Sequence, residues 1–388
     1  MSSQSQPVVT IINRHYPPNP GITGESAWDL AKYLSQKNID VQVVHINRTS
    51  EGGGERREAF GKVFKINSIY TGENEAIRFI AAFFDAFALV IKSILIRKKG
   101  IVICMTSPPM LAFWGGILFK LCSVPWFFWS MDLFPESFYA GGKISNQNIF
   151  YKWIKKLSYL FEPNALIAMG YKQAEYILHQ YKKPIDTMVL PCGVITQQHI
   201  NNQAPNWRTD DTKIYFGYCG NVGIAHDERL IVEMANAINP SKHQLILALY
   251  GVKANILKAQ LKNLPGVVLV DNVPRSQLHF IDVHLVCLMQ KWTHCAVPSK
   301  AVSSICAGGT ILFLGDEESD NWFMLQNAGW HIQPTDSIKN QVQFFLENTT
   351  TESIQSKKQN AISLATNLSA LVNTTYQQIA EMIQKKSN

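Results

Sequence analysis

The sequence has no C-x-x-C pair, and its cysteines are an odd number: seven, at positions 104, 122, 192, 219, 287, 295 and 306. Cys104, Cys219 and Cys287 lie inside apolar, strand-like runs. That pattern is best explained by buried free thiols in a reducing cytoplasm. There is no zinc-knuckle or RNP-like pattern, and the basic residues behind the formal charge of +7 are scattered rather than arrayed along one helix. The charge therefore suits an anionic ligand or an anionic membrane surface, and no nucleic-acid partner is expected. M-S-S-Q-S-Q-P lacks the basic and apolar regions of a secretory signal, so none is expected there. The long apolar runs are interrupted: Phe79 to Ile96 carries Asp85 and Lys92, and Met110 to Trp129 carries Lys120 and Pro125. A charge at a bilayer centre costs roughly 2.5–3.5 kcal/mol, so both runs are expected as core helices, the second followed by a strand. G-x-G-x-x-G is missing after the first strand-like run, which argues against a nicotinamide-dependent dehydrogenase.

What is present is a globular composition, 46% apolar and 17% charged, over 388 residues. That length suits two domains of ~150–200 residues each. The first begins with a β-branched run, V-V-T-I-I-N at 8–13. A Pro- and Gly-rich loop follows, then an amphipathic helix through Ala27, Leu30, Ala31 and Leu34, then V-Q-V-V-H-I at 41–46. This is the opening of a doubly wound α/β domain. Gly21 and Gly24 in its first loop would let the backbone approach a ligand, or simply serve turns. Residues 50–60 read as a polar, glycine-rich, mobile loop, and Arg97 to Gly100 as the end of a helix. I-V-I-C-M-T runs into Ser107-Pro108-Pro109, and P-W-F-F-W-S runs into Met131-Asp132-Leu133-Phe134-Pro135-Glu136. Asp132 and Glu136 thus fall past the carboxyl end of a strand. They are candidates for catalysis or acceptor binding, or caps of the next turn. Residues 150–161 form a basic, aromatic helix. Lys152, Lys155 and Lys156 share one face, suited to an anionic membrane surface or to plain solvation.

From Cys192 to Thr212 the chain is polar and aperiodic, the expected linker. A second α/β pattern then starts with K-I-Y-F-G-Y-C, with further strands expected at 244–250, 267–270, 283–288 and 310–314. Its centre is V-P-S-K-A-V-S-S-I-C-A-G-G-T-I-L-F-L at 297–314. Ser299 is expected to cap a helix, Lys300 to sit in its first turn, and Gly308 and Gly309 to stop it before a buried strand. Bare N–H groups, the positive dipole end and Lys300 together suit a phosphate. The bland reading is a helix–strand connection with a solvated lysine.

Several motifs in order resemble those of the retaining, family-four GT-B glycosyltransferases, nearest the bacterial surface-polysaccharide subgroup. They are the Y-P-P-x-x-G-I-T-G-E loop, T-S-P-P at 106–109, M-D-L-F-P-E-S at 131–137, L-P-C-G-V at 190–194, Y-C-G-N-V-G-I-A-H-D, and P-S-K-A-V-S-S-I-C-A-G-G at 298–309. The resemblance implies two doubly wound Rossmann-like domains facing across a cleft. The expected boundaries are 1–191 for the acceptor side, 192–212 for the linker, 213–365 for the nucleotide-sugar side, and 366–388 for a C-terminal helix packing back on the first domain. By resemblance, Gly21 and Gly24 approach the donor sugar and diphosphate. Asn221 and His226 stand where an Arg and a Lys are usual, with Gly223 between them, and the charge of His226 would depend on pH. Ser299 and Lys300 complete the phosphate site, and Asp132 lies near the sugar C1. The family's Glu-x7-Glu pair is Ala296 and Ser304 here, so ribose recognition must differ. Asp316, Glu317 and Glu318 fit a solvated acidic loop or ribose contacts.

The function expected is transfer of a hexose-type sugar from a nucleotide-diphosphate sugar to a hydroxyl of a glycan or lipid-linked saccharide in polysaccharide biosynthesis. No cofactor and no metal are expected, in keeping with the lack of a D-x-D motif. The protein is expected to be cytoplasmic and peripheral on the inner face of the membrane. Two rivals stand beside it: a nucleotide-sugar epimerase of the same fold, and a non-catalytic nucleotide-sugar- or glycan-binding protein with a degenerate site.

Overall fold

The computed structural model describes residues 6–19, 21–47, 57–195 and 203–387. Most of the glycine-rich loop expected at 50–60, and residues 196–202 of the expected linker, lie outside that set. The chain divides into two units, Met1–Cys192 with Leu371–Asn388, and Gly193–Ala370.

The first unit runs β1 (Val8–Asn13), α1 (Ile22–Gln36), β2 (Asp40–Asn47), β3 (Lys62–Asn67), α2 (Glu75–Ile96), β4 (Ile101–Cys104) and α3 (Leu111–Leu121). It continues β5 (Trp126–Trp129), α4 (Glu136–Ala140), α5 (Ile149–Ser158), β6 (Ala165–Ala168), α6 (Tyr171–Leu178) and β7 (Thr187–Val189). All seven strands pair in parallel, in the order β3-β2-β1-β4-β5-β6-β7. A parallel sheet covered on both faces needs apolar residues at successive positions, which is why these strands read as continuous runs. Ala27, Leu30, Ala31 and Leu34 of α1 are buried, as their spacing predicts. Asn74 and Asn148 cap α2 and α5, each accepting two backbone N–H groups.

The end of α2 departs from the sequence reading. Lys98 and Lys99, not Gly100, take the left-handed conformation. Gly100 is needed for space instead: a Cβ there would lie 2.1 Å from the Val8 carbonyl oxygen. Strand β3 was not legible in advance, because K-V-F-K-I-N sits on a sheet edge and is mostly half-buried or exposed. Just before it the chain is tied to the loop after β1 and to α1, with Tyr16 and Trp28 donating to the Phe60 and Glu58 carbonyls at 2.8 and 2.9 Å.

The second unit runs β8 (Ile214–Asn221), α7 (Arg229–Ala237), β9 (His243–Tyr250), α8 (Ala254–Leu261), β10 (Val267–Leu269), β11 (Val283–Cys287), α9 (Ser299–Cys306), β12 (Thr310–Leu314), α10 (Asp320–Leu325), β13 (Gly329–Ile332) and α11 (Ile338–Asn348). Its six parallel strands are ordered β10-β9-β8-β11-β12-β13. Trp207, within the expected linker, packs on the core of this unit against Tyr215. The last helix, α12 (Thr351–Ser387), ends in the first unit. There Tyr376 meets Tyr33 at 5.2 Å, and Thr375 donates to the Val189 carbonyl at 2.7 Å.

Candidate functional site

In each sheet the strand order reverses once, between β1 and β4 and between β8 and β11. Chains leaving such a pair diverge and open a crevice at the carboxyl edge, where α/β domains hold ligands. Almost all of the candidate residues gather at these two edges.

In the second unit, β8 ends in Y-C-G-N and turns through V-G-I-A-H. Lys300, in the first turn of α9, crosses to that end. Its stem lies on Gly220, where a Cβ would come within 3.3 Å, and its ammonium sits 4.1 Å above the Tyr218 ring. The ammonium donates to the Tyr218 hydroxyl and to the Asn221 carbonyl, the latter at 2.6 Å. Tyr218 donates to that same carbonyl at 2.8 Å. Burial pushes the Lys300 pKa down to about 8. Burial also pushes the neighbouring Cys219 and Cys287 thiols up to about 12, so neither supplies a counter-charge. Among the described residues no carboxylate pairs with Lys300. A cation held only by neutral acceptors is a ready partner for an anion.

Helix α9 adds to this. Its N-cap is Pro298, with no side-chain cap, so Ser299 is the first helical residue and not the cap expected from sequence. The first-turn N–H groups therefore lack a side-chain acceptor, as an anion site requires. The turn is braced from two sides. Asn321 donates to the Pro298 carbonyl at 2.9 Å. Gly193 packs so closely that a Cβ would lie 2.7 Å from the Ser299 oxygen. That close approach explains the glycine of L-P-C-G-V.

Three other candidates in this unit behave differently from expectation. His226 is not a pH-dependent cation: burial, with Lys300 and Lys253 nearby, pushes its pKa down to about 3. Its Nδ1 accepts the Gly223 N–H at 3.2 Å, which leaves Nε2–H as its donor and occupies the Gly223 amide. Ser304 is 5% exposed, inside the packing of α9, so it does not face a ribose. Asn221 is exposed but offers a carbonyl already in use; its side chain lies where a Cβ on Gly251 would be, 1.9 Å from Oδ1. Of the acidic stretch, Glu317 and Glu318 are exposed, and Asp316 is tied to the Glu318 amide and to Gln290. Tyr218 and Asn321 were missed in sequence, since nothing local marks a strand tyrosine or a helix asparagine as part of a site.

In the first unit, the loops after β1, β4 and β5 share one edge. Thr106 accepts the Met131 amide at 3.2 Å, and Gln173 of α6, fully buried, donates to the Met131 carbonyl at 2.8 Å. The backbone before Asp132 is thereby held from two strands and a helix. Solvent reaches the Asp132 carboxylate, while the protein packed around it pushes its pKa up to about 6. Glu136, four residues on, is 2% exposed. It accepts from Tyr159 at 3.0 Å and Tyr176 at 3.2 Å, and Lys155 lies 3.6 Å away. Its carboxylate is part of the packing of α4, α5 and α6 and is not open to a substrate. Gly21 and Gly24 are also explained internally. A Cβ on either would come within 3.2 Å of His15, so what they admit is their own loop. The lysines expected on one face of α5 divide: Lys155 turns inward to Glu136 and Tyr176, while Lys152 and Lys156 are exposed. None of the seven cysteines is in a disulfide, and Cys122 alone is exposed. Among the described residues no cluster of three or more His, Cys, Asp or Glu could hold a metal ion.

No protein-family model matches the chain. It is 23% identical over 285 residues to a probable glycosyltransferase, WbjE, of Pseudomonas aeruginosa, covering 67% of this chain and 69% of that one. Solved structures match over nearly the full length. Sucrose-phosphate synthase from Thermosynechococcus elongatus gives a TM-score of 0.71 at 13% identity, over 98% of this chain and 100% of that one. WaaG, a glycosyltransferase involved in lipopolysaccharide biosynthesis, gives 0.68 at 14% identity, over 97% and 99%. The chain has the fold of these proteins, the pair of parallel α/β domains expected from the sequence as GT-B.

Proposed function

We propose that the protein is a glycosyltransferase that moves a hexose-type sugar from a nucleotide-diphosphate sugar to a hydroxyl of a glycan or lipid-linked saccharide. The observation that carries this reading is Lys300: a half-buried ammonium with no carboxylate partner among the described residues, at an uncapped helix start on a sheet's switch point. In such a transfer the nucleoside diphosphate leaves, and negative charge develops on its oxygens as the glycosidic bond to phosphate breaks. A fixed cation and first-turn amides stabilise that charge without reorganising. Neutral His226 adds an N–H donor rather than a charge.

Asp132 is the residue we assign to the acceptor. A carboxylate titrating near 6 is mostly ionised at neutral pH and basic enough to orient or take the acceptor hydroxyl proton. Glu136 has a supporting role, fixing α4 and α5 behind the Asp132 loop. A lipid-linked saccharide acceptor is in keeping with the likeness to WaaG, a glycosyltransferase involved in lipopolysaccharide biosynthesis, and the likeness to WbjE supports glycosyl transfer in general. Free cysteines favour a reducing, cytoplasmic setting. Retention at the anomeric carbon rests on the motif resemblance and is read from the anomer of the product.

Calorimetry with UDP, GDP, ADP and dTDP, and with their sugars, tests the donor half. A bound donor also raises the melting temperature by mass action. Nucleotide release that requires an added saccharide acceptor supports a transferase. Conversion of the donor sugar without acceptor would instead identify an epimerase, and binding without turnover a degenerate site. No binding of any nucleoside diphosphate by the wild type would refute the proposal.

A further inference from the structure

Helix α2 combines a core face with an outer face that is as apolar as the inner one. Its 76–96 segment has a mean hydropathy of 2.2 but is only 39% buried. Ala82, Ala86, Leu89 and Val90 pack on the sheet. On the opposite side Ile77, Ile80, Phe84, Phe87 and Leu95 are exposed, Ile80 by 54% and Phe84 by 51%. Their spacing of three, four, three and eight residues draws one stripe along the helix. Asp85, the charge that argued in sequence against a membrane span, is turned away from this stripe. It is buried and accepts from Ser68 at 2.7 Å and from the Ile69 amide at 3.3 Å. One face of the helix is committed to the sheet, and on the other its middle turns offer water nothing polar.

The stripe continues onto neighbouring helices. Phe87 contacts Trp114 of α3 at 4.9 Å between ring centroids, Phe79 meets Phe138 of α4 at 5.0 Å, and Tyr139 of α4 meets Tyr151 of α5 at 6.1 Å. Leu121 of α3, and Ile149, Phe150 and Trp153 of α5, are exposed, Trp153 by 58%. Exposed apolar surface on this scale marks an interaction site.

We propose that the outer face of α2, α3 and α5 docks the protein on an anionic lipid bilayer, with the aromatic and aliphatic side chains inserted and the lysines at the head groups. The charges select the occupant. The three helices carry Arg78, Lys92, Lys120, Lys152, Lys155 and Lys156 against Glu75 and Asp85. Asp85 is buried and Lys155 is turned to Glu136, which leaves exposed Lys120, Lys152 and Lys156 beside exposed apolar residues. A second copy meeting this face two-fold would set lysines against lysines, whereas anionic lipid head groups complement them. The inference is independent of the chemistry proposed above.

The test is sedimentation of the full chain with vesicles of phosphatidylethanolamine and phosphatidylglycerol, and with neutral phosphatidylcholine vesicles. The wild type is expected to pellet with the anionic vesicles. The double variant Ile80→Asp/Phe84→Asp, with an unchanged melting temperature, is expected to lose at least tenfold in partitioning. Lys152→Glu/Lys156→Glu is expected to lose roughly fivefold or more per lysine, on anionic vesicles only. Should the aspartate variant misfold, Trp153→Phe serves instead: it should abolish part of the blue shift of tryptophan fluorescence, and of the quenching by brominated lipid, seen with the wild type. Failure of the wild type to bind anionic vesicles would overturn the proposal. So would equal binding by the folded aspartate variant, or a solution dimer of the wild type that this variant makes monomeric.

Discussion

The two sheet edges solve opposite electrostatic problems with the same architecture. At the β8–β11 edge a half-buried lysine has no carboxylate partner among the described residues, its charge shared between a tyrosine hydroxyl and a carbonyl. At the β4–β5 edge a carboxylate faces solvent, and four residues away a second carboxylate is buried behind two tyrosines and a lysine. The contrast separates residues poised for a ligand from residues that hold the frame. Lys300 and Asp132 have pKa values displaced toward neutrality, to about 8 and about 6, with no partner of opposite charge assigned to either. Glu136 Oε1 and Lys155 are paired with each other and with Tyr176, while Glu136 Oε2 is buried without a hydrogen-bond partner. On the proposed function, displaced values without a charged partner assign Lys300 and Asp132 to ligand contact, and pairing between helices assigns Glu136 and Lys155 to support.

The strongest way to break this division is Asp132→Asn. If the carboxylate handles the acceptor proton, kcat should fall by roughly 10²–10⁴ while nucleoside diphosphate affinity stays the same. Steady-state kinetics beside calorimetry decide it, and a loss of nucleotide affinity alone would move Asp132 to the donor. Next in size, Lys300→Ala should weaken nucleoside diphosphate binding by about 10–100-fold, the worth of a charged hydrogen bond. Unchanged affinity would return Lys300 to an ordinary solvated lysine.

The pH profile sharpens the comparison without mutation. The Asp132 pKa is raised, so its base form is lost as pH falls through about 6, and kcat/KM should fall up to tenfold per unit below that value. The Lys300 pKa is lowered, so the unliganded protein loses its cation as pH rises through about 8, and diphosphate affinity should decline above it. His226, held near 3, should contribute no inflection between pH 5 and 9, and His226→Gln should leave the profile's shape unaltered.

Smaller effects are expected where the frame is touched. Glu136→Gln should cost about 1–3 kcal/mol of stability in denaturant unfolding, because two tyrosines and Lys155 lose a charged acceptor. It should leave kcat within a few-fold; a collapse of kcat with stability intact would make Glu136 catalytic after all. Ser304→Ala should be smallest, within about 1 kcal/mol in stability, with donor affinity unchanged, since its side chain lies within the packing of α9.

Much of the fold was readable because parallel, doubly covered strands leave continuous apolar runs, and because α1 keeps a clean helical period. Edge strands β3 and β13 escaped, because K-V-F-K-I-N and G-W-H-I are half-wet and carry no continuous apolar run. The site was legible only as places. T-S-P-P, M-D-L-F-P-E and P-S-K each end or follow a strand, and strand ends of one sheet share an edge whatever the side chains do. Roles within those places were not legible. Asp132 and Glu136 are alike in sequence, and Ser299, Ser303 and Ser304 are one run of serines around a helix; yet only Ser303 reaches out of it, donating to the Gly193 carbonyl at 2.9 Å.

The sequence by itself determined the α/β class, the two-unit organisation and the segments that carry the chemistry, because those follow from hydrophobic period and from punctuation by Gly and Pro. Tertiary structure decided which groups are charged, which are free and which face outward. It set Lys300 over Tyr218, closed His226 on Gly223, sank Glu136 behind tyrosines and turned Asp85 inward from α2. All but the His226 contact, which spans three residues, depend on what a side chain meets from a distant part of the chain, and on the water it loses in meeting it, which no local pattern records.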